Sequence, residues 1–183
     1  MLSVTVFFGF IAGSFALTFL NGNCPEVGPL NPVDVNALAG DWWLLERNVD
    51  NWDNGGKCGK KHIDPPINGT TRVVTSRVST TTSVTSLVEA KVTVSEDNVV
   101  HFRIQVPIWG EFDQDHWILD SDPENYVIIW NCQNWGRQHT EGLWIFGRNK
   151  SISGFDEGYV RRVLGNYGLR YPEMVRIDNE NCL

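Results

Sequence analysis

Leu38-Ala39-Gly40-Asp41-Trp42-Trp43-Leu44-Leu45-Glu46-Arg47 is an apolar run opened by a glycine and two adjacent tryptophans, and it follows a proline-bearing lead-in that contains Cys24. Its alternation predicts a β-strand with Trp42, Leu44 and Glu46 on one face and Trp43, Leu45 and Arg47 on the other. Gly40 lets the backbone turn tightly beneath the large Trp42 ring. A glycine and a tryptophan alone say little, so the meaning of this strand depends on its successors.

From Gly40 to Arg148 the chain is almost entirely short alternating runs divided by turn residues, the pattern of an antiparallel meander closing into a barrel or sandwich. Eight candidate strands lie near residues 41–48, 58–64, 70–79, 82–94, 98–106, 115–121, 125–132 and 142–148. The fourth sets Val84, Ser86, Val88, Ala90, Val92 and Val94 on one face, a wall of small residues. The fifth sets Val100, Phe102, Ile104 and Val106 inward, a larger wall. Small residues facing large ones leave room for a cavity in an eight-stranded barrel, a size that holds one small ligand; a filled core is the alternative.

The 183 residues suit one domain with a sizeable core. Residues 1–22 carry no charge and an apolar stretch from Val4 to Leu20 broken only by small and hydroxyl residues, which reads as a secretory signal preceding a single domain over 23–183. Ala16 and Gly22 both fit the cleavage point, and a membrane span would need ~20 unbroken apolar residues. A secreted, extracellular protein keeps its cysteines oxidised. Cys24, Cys58, Cys132 and Cys182 therefore read as two bridges, with three connectivities open. Asn68 and Asn149 begin N-glycosylation sequons at apparent strand ends. The net charge of −7, without clustered Lys or Arg, argues against nucleic acid. The eight tryptophans point to core filling and to stacking surfaces.

Beyond the eighth strand, Ser153 to Asp156 resembles a capping box opening a helix. Its apolar positions Phe155, Tyr159, Val160, Val163, Leu164 and Tyr167 share one face, and Gly168 is placed to stop it. The apolar piece Met174 to Ile177 reads as one more strand before Cys182.

Three stretches in order identify a resemblance. Gly40-Asp41-Trp42, His116 to Tyr126 and Trp144 to Arg148 resemble the three motifs of the lipocalin family, particularly its apolipoprotein D, insect bilin-binding and retinol-binding branch. The resemblance spans Cys24 to Cys182 and implies an all-β fold: an eight-stranded antiparallel up-and-down barrel with one C-terminal helix packed outside. It implies the bridges Cys24–Cys132 and Cys58–Cys182. One departure is Pro123, where the second motif normally carries an aromatic. Proline fits the second position of a type I turn, so the turn Asp122 to Asn125 should survive.

Threading the meander from a closed end places Gly40, Trp42, Asp120 to Asn125 and Arg148 together there. A guanidinium over the Trp42 indole would supply a cation–π contact of ~0.5–2 kcal/mol and cap the floor, and the resemblance implies the same pairing. The opposite end is then built from residues 48–57, 79–82, 107–114 and 133–141. Trp52, Trp109 and Trp135 would ring this mouth beside Asp50, Asp53, Glu111 and Asp113, an aromatic and acidic entrance.

The expected ligand walls are Leu44, Val84, Val88, Phe102, Ile104 and Val106, continued by Ile118, Val127, Ile129, Trp144 and Phe146. Glu46 and His116 are the inward polar candidates: Glu46 to pair with a cationic ligand group unless it is solvated at the rim, and His116 to hydrogen-bond a hydroxyl or carboxylate unless a neighbour satisfies it. A retinoid, fatty acid, steroid, bilin or biogenic amine all fit this description. No resident cofactor or metal site is expected, although a bound pigment or lipid such as biliverdin or retinol is compatible with it. Enzymatic motifs are lacking, and the free thiol of the prostaglandin-isomerase branch has no counterpart if all four cysteines are bridged. The expectation is a carrier that sequesters a small hydrophobic ligand, does no chemistry and spans no membrane, with a receptor or a second copy as possible partners. The alternative is a secreted interaction or storage protein whose tryptophan-rich mouth grips another protein.

Overall fold

Two-residue alternation becomes a closed sheet. The computed structural model describes residues 18–28, 31–50, 56–106, 110–151 and 156–182. Most of the expected signal, together with Asp53, Trp52, Trp109, Ser153 and Phe155, lies outside the described residues. A short strand Leu20–Asn21 (β1) precedes the barrel strands Gly40–Asn48 (β2), Gly56–Ile63 (β3), Thr71–Ser79 (β4), Thr85–Val94 (β5), Val100–Val106 (β6), Gly110–Asp122 (β7), Tyr126–Trp135 (β8) and Gln138–Gly147 (β9). Helix Glu157–Asn166 (α1) and strand Met174–Arg176 (β10) complete the chain. Every neighbouring pair is antiparallel, and pairing of β2 with β9 closes the eight strands into a barrel.

The barrel has two cores because β8 is buried on both faces. Val127 and Ile129 face the interior with Trp42, Leu44, Phe102, Trp144 and Phe146. Ile128, Trp130 and Cys132 face outward and meet Val160, Val163 and Leu164 of α1. Burying each aliphatic side chain contributes ~1.5–3 kcal/mol, so the helix is held by its apolar stripe. Asp156 caps α1 by accepting from the Tyr159 amide at 2.7 Å. A bulge between Ile118 and Asp120 breaks the β7 register and leaves Leu119 in the outer core. Asp120 accepts from the phenols of Tyr126, at 2.7 Å, and of Tyr159, tying the helix to the wall.

The cysteines pair as Cys24–Cys132 and Cys58–Cys182. The first ties the lead-in to β8; the second ties the tail to β3, beyond the point where β10 has paired with the end of β2.

Strand lengths at the open end differ from the sequence expectation. Residues 133–141 were expected as a loop, yet β8 and β9 run through to Trp135 and Gln138 about a tight turn in which Gly136 has φ +68°. β7 begins at Gly110, so Glu111 and Asp113 are strand residues on the outer wall opposite Gln105 and Arg103. The β4–β5 hairpin closes at Ser79 and Val84, leaving Val84 in the turn and 63% exposed rather than on the inner wall. No helix among the described residues is long and apolar enough to cross a membrane.

Candidate functional site

The floor of the barrel is built on Gly40, Trp42 and Arg148. Trp42 is 1% exposed and donates from its indole to the Leu38 carbonyl at 2.8 Å. The Arg148 guanidinium stacks 3.8 Å from the Trp42 ring centroid and donates to the carbonyls of Ala37, Ala39, Asp41 and Pro123. Gly40, at φ +102°, has no Cβ to crowd this guanidinium, which would otherwise stand at 3.1 Å. The turn at Pro123 forms, with the Asn125 amide donating to the Asp122 carbonyl at 2.9 Å.

Above the floor the interior holds two adjoining chambers. The lower, about 40 Å³, is walled by residues such as Leu38, Trp42, Val73, Val92 and Val127. The upper, about 80 Å³, opens toward the mouth past Thr75, Arg77, Ser86, Val88 and Gln114. Lys61, Phe102, His116, Ile129 and Phe146 line both and form the waist between them. The Trp144 ring lies in the upper chamber, where it can fold flat along its strand because Gly142 has no side chain; a Cβ there would come within 2.7 Å of the ring's Cζ3.

The ionisable groups that line this cavity among the described residues are basic. Lys61 Nζ stands over the rings of Phe102 and Phe146, 5.1 and 4.7 Å from their centroids. Burial pushes its pKa down to about 8, which leaves it largely protonated at neutral pH. His116 is 6% exposed and packed between Phe102 and Trp144, with ring centroids 4.4 and 5.6 Å away. Burial first and the nearby Lys61 charge second push its pKa down to about 3, so the imidazole is neutral. Its Nδ1 and the Gln114 Oε1 are buried and make no hydrogen bond among the described residues. Arg77 projects into the upper chamber, with Arg47 beside it; burial lowers both pKa values, and the Arg77 charge lowers that of Arg47 further. Among the described residues no carboxylate lines either chamber.

This is a correction to the expected polarity. A bulge between Leu44 and Glu46 inverts the alternation of β2 at that point. Glu46 therefore faces outward and accepts from Arg176 at 3.0 Å, while Arg47 is buried. Three of the four carboxylates expected at the mouth lie elsewhere. Asp113 accepts from Arg103 at 2.9 Å on the outer wall, Glu111 shares that face, and Asp50 borders an outer cleft beside Tyr171. Trp135 remains at the rim, 57% exposed, with its indole donating to Thr140. Of the other expected wall residues, Leu44, Phe102, Ile104, Val127, Ile129, Trp144 and Phe146 belong to the buried inner cluster, and Val88, Val106 and Ile118 pack against it. Lys61 and Arg77 are absent from that expectation. Their signal is parity: Lys61 is two residues from inward Ile63, and Arg77 is four from inward Val73.

Among the described residues one group, Cys132, His139 and Glu141, brings three potential metal ligands within 4.8 Å, but the Cys132 sulfur is committed to its bridge with Cys24.

Residues 39–181 match the sequence model of the lipocalin / cytosolic fatty-acid binding protein family. The chain belongs to the lipocalin family. Among its relatives are apolipoprotein D of Mus musculus, 26% identical over all of this chain and 98% of that protein, and the bilin-binding protein of Pieris brassicae, 22% identical over 79% of this chain and 77% of that one. The solved structure of insecticyanin from the tobacco hornworm Manduca sexta superposes with a TM-score of 0.75 at 23% identity, covering 89% of each chain. These likenesses are to apolipoprotein D and to the insect bilin-binding lipocalins.

Proposed function

We propose that this lipocalin sequesters or carries a slender apolar ligand that ends in an anionic group, without turning it over. One observation carries the reading: Lys61 presents a cationic head, flanked by the rings of Phe102 and Phe146, to a largely apolar cavity that no carboxylate among the described residues lines. A carboxylate entering there meets opposite charge in a region of low dielectric, where a charged hydrogen bond contributes ~1.5–3 kcal/mol. A protonated amine meets repulsion instead, and of the supports for an amine ligand Glu46 faces outward and Asp50, Glu111 and Asp113 lie away from the two chambers. The chambers of about 80 and 40 Å³ favour an alkyl or isoprenoid chain over a tetrapyrrole, which would have to displace Trp144.

The same proposal includes export. The uncharged apolar opening supports a signal, and two disulfides suit an oxidising compartment. Cleavage after Ala16 rather than Gly22 keeps Leu20–Asn21 in place against His139 and Gln138. Asn68 and Asn149 are exposed at turns, where attached glycans would face solvent.

Quenching of intrinsic tryptophan fluorescence tests the reading, because Trp144 sits at the cavity. Titration with decanoate, decanol and decylamine should give affinity in that order. Equal affinity for all three, or preference for the amine, overturns it.

A further inference from the structure

Three basic side chains reach the upper part of this barrel, and only one of them can lose its proton at ordinary pH. Arg47 and Arg77 are permanent cations. Lys61 is a primary amine at the waist of the cavity, flanked by the faces of Phe102 and Phe146, with no hydrogen bond or ion pair among the described residues. His116 lines the same two chambers, with a buried ring nitrogen that makes no hydrogen bond there. A partly desolvated amine beside a neutral imidazole, enclosed by apolar walls, is the arrangement that turns a lysine into a carbonyl nucleophile.

We propose that Lys61 captures apolar aldehydes covalently, as a reversible imine formed at the waist of the barrel beside His116. The inference rests on the cavity being the ligand site and extends its ligands from acids to aldehydes. The free amine attacks the carbonyl carbon; a C–N bond forms as the π pair moves to oxygen. His116 accepts the proton released by nitrogen and passes it to that oxygen. The nitrogen lone pair then closes the C=N bond as the C–O bond breaks, and the proton still on nitrogen follows to the departing hydroxide, which leaves as water. Aldehyde plus amine thus gives imine plus water, with nothing oxidised or reduced, and water entering from the mouth reverses the reaction. The depressed basicity of Lys61, with a pKa of about 8, supplies free amine without strongly alkaline conditions. The other four lysines of the chain, Lys57, Lys60, Lys91 and Lys150, do not line the two chambers.

The test uses the whole oxidised protein incubated with nonanal and cyanoborohydride, with peptide mapping of the trapped secondary amine and a parallel fluorescence titration with nonanoate. One adduct on Lys61 is expected, formed about eightfold faster at pH 8.5 than at pH 7 as the free-amine fraction grows. Lys61→Arg should lose this adduct at least tenfold, with nonanoate binding read on the wild-type chain. Labelling spread over Lys57, Lys60, Lys91 and Lys150, or no adduct while nonanoate binds, overturns the capture and leaves the carrier reading intact. Failure of nonanoate to bind the wild-type protein instead removes the carrier reading. Mapping on the wild-type chain decides the matter even if the variant folds poorly.

Discussion

Arg148 lies flat on Trp42, its guanidinium 3.8 Å from the ring centroid, although 106 residues separate them in the chain. The ring fills the floor of the barrel and the guanidinium seals it from below, spending its donors on backbone carbonyls of the lead-in, of β2 and of the β7–β8 turn. The stretch 37–41 and the turn at Pro123 are thereby pinned to the end of β9 by one side chain. The cavity above therefore has a single open end.

Arg148→Lys should accordingly lower stability without touching ligand affinity per folded molecule. An ammonium cannot reach carbonyls on both sides of the ring or stack on it as a plane. Loss of about 2 kcal/mol is expected, or a fall of roughly 4–8 °C in Tm for a chain of this size. Thermal unfolding beside a decanoate titration checks it; weakened binding with unchanged Tm would place this residue in the ligand site instead.

Most of the fold is legible in the sequence because a half-buried strand writes its register in a period of two. The eight alternating runs lead to the eight barrel strands, and Gly40, Trp42 and Arg148 meet where the threading of the meander places them. The polarity of the interior is not legible, for one physical reason. A β-bulge adds a residue without any compositional mark, so strict alternation through Leu44, Leu45 and Glu46 assigns the wrong charge to the cavity. Lys61 and Arg77 fail differently. Their parity is readable from Ile63 and Val73, but a cation on an inner wall contradicts the rule that charges stay outside, and only the assembled barrel shows that both serve one space. The extension of β7 to Gly110 was hidden by Pro107 and Gly110, which read as loop.

That contradiction yields a second prediction. A cation held over aromatic rings with no carboxylate partner among the described residues costs stability, so Lys61→Met should stabilise the empty protein by about 1–3 kcal/mol while reducing its preference for decanoate over decanol at least tenfold. Urea denaturation and the two titrations measure both effects. A destabilised variant with unchanged preference would make Lys61 a structural residue.

Gly142→Ala addresses the shape of the upper chamber. The new Cβ would stand 2.5 Å from Asn131 Oδ1 and 2.7 Å from Trp144 Cζ3, closer than packed atoms allow, so the ring must swing. Overpacking of this kind costs roughly 1–3 kcal/mol. The variant should melt at lower temperature, shift the tryptophan emission and change the chain length of the best-bound acid. An unshifted emission spectrum would mean that Trp144 has room that the wild-type packing does not reveal.

His116 makes acid stability a test of the interior. Its folded pKa of about 3 lies below the ordinary value of 6.5, so between these limits the unfolded chain holds a proton that the native chain lacks. Stability must then rise with pH across that window: the contribution is complete above about pH 6.5 and is lost progressively toward pH 3. The charged groups facing the ring, Lys61 and Arg77, keep their protons throughout this range. Surface His62 has the opposite sign, because its hydrogen bond to Asp41 raises its pKa and favours the fold at low pH. The measurement is therefore a difference. Urea unfolding of the wild type and of His116→Gln, compared from pH 6.5 to 4, should show the wild type losing up to ~1.4 kcal/mol more per pH unit than the variant. Parallel pH profiles would mean that the imidazole titrates in the native barrel as it does in the unfolded chain, and that burial does not hold it neutral.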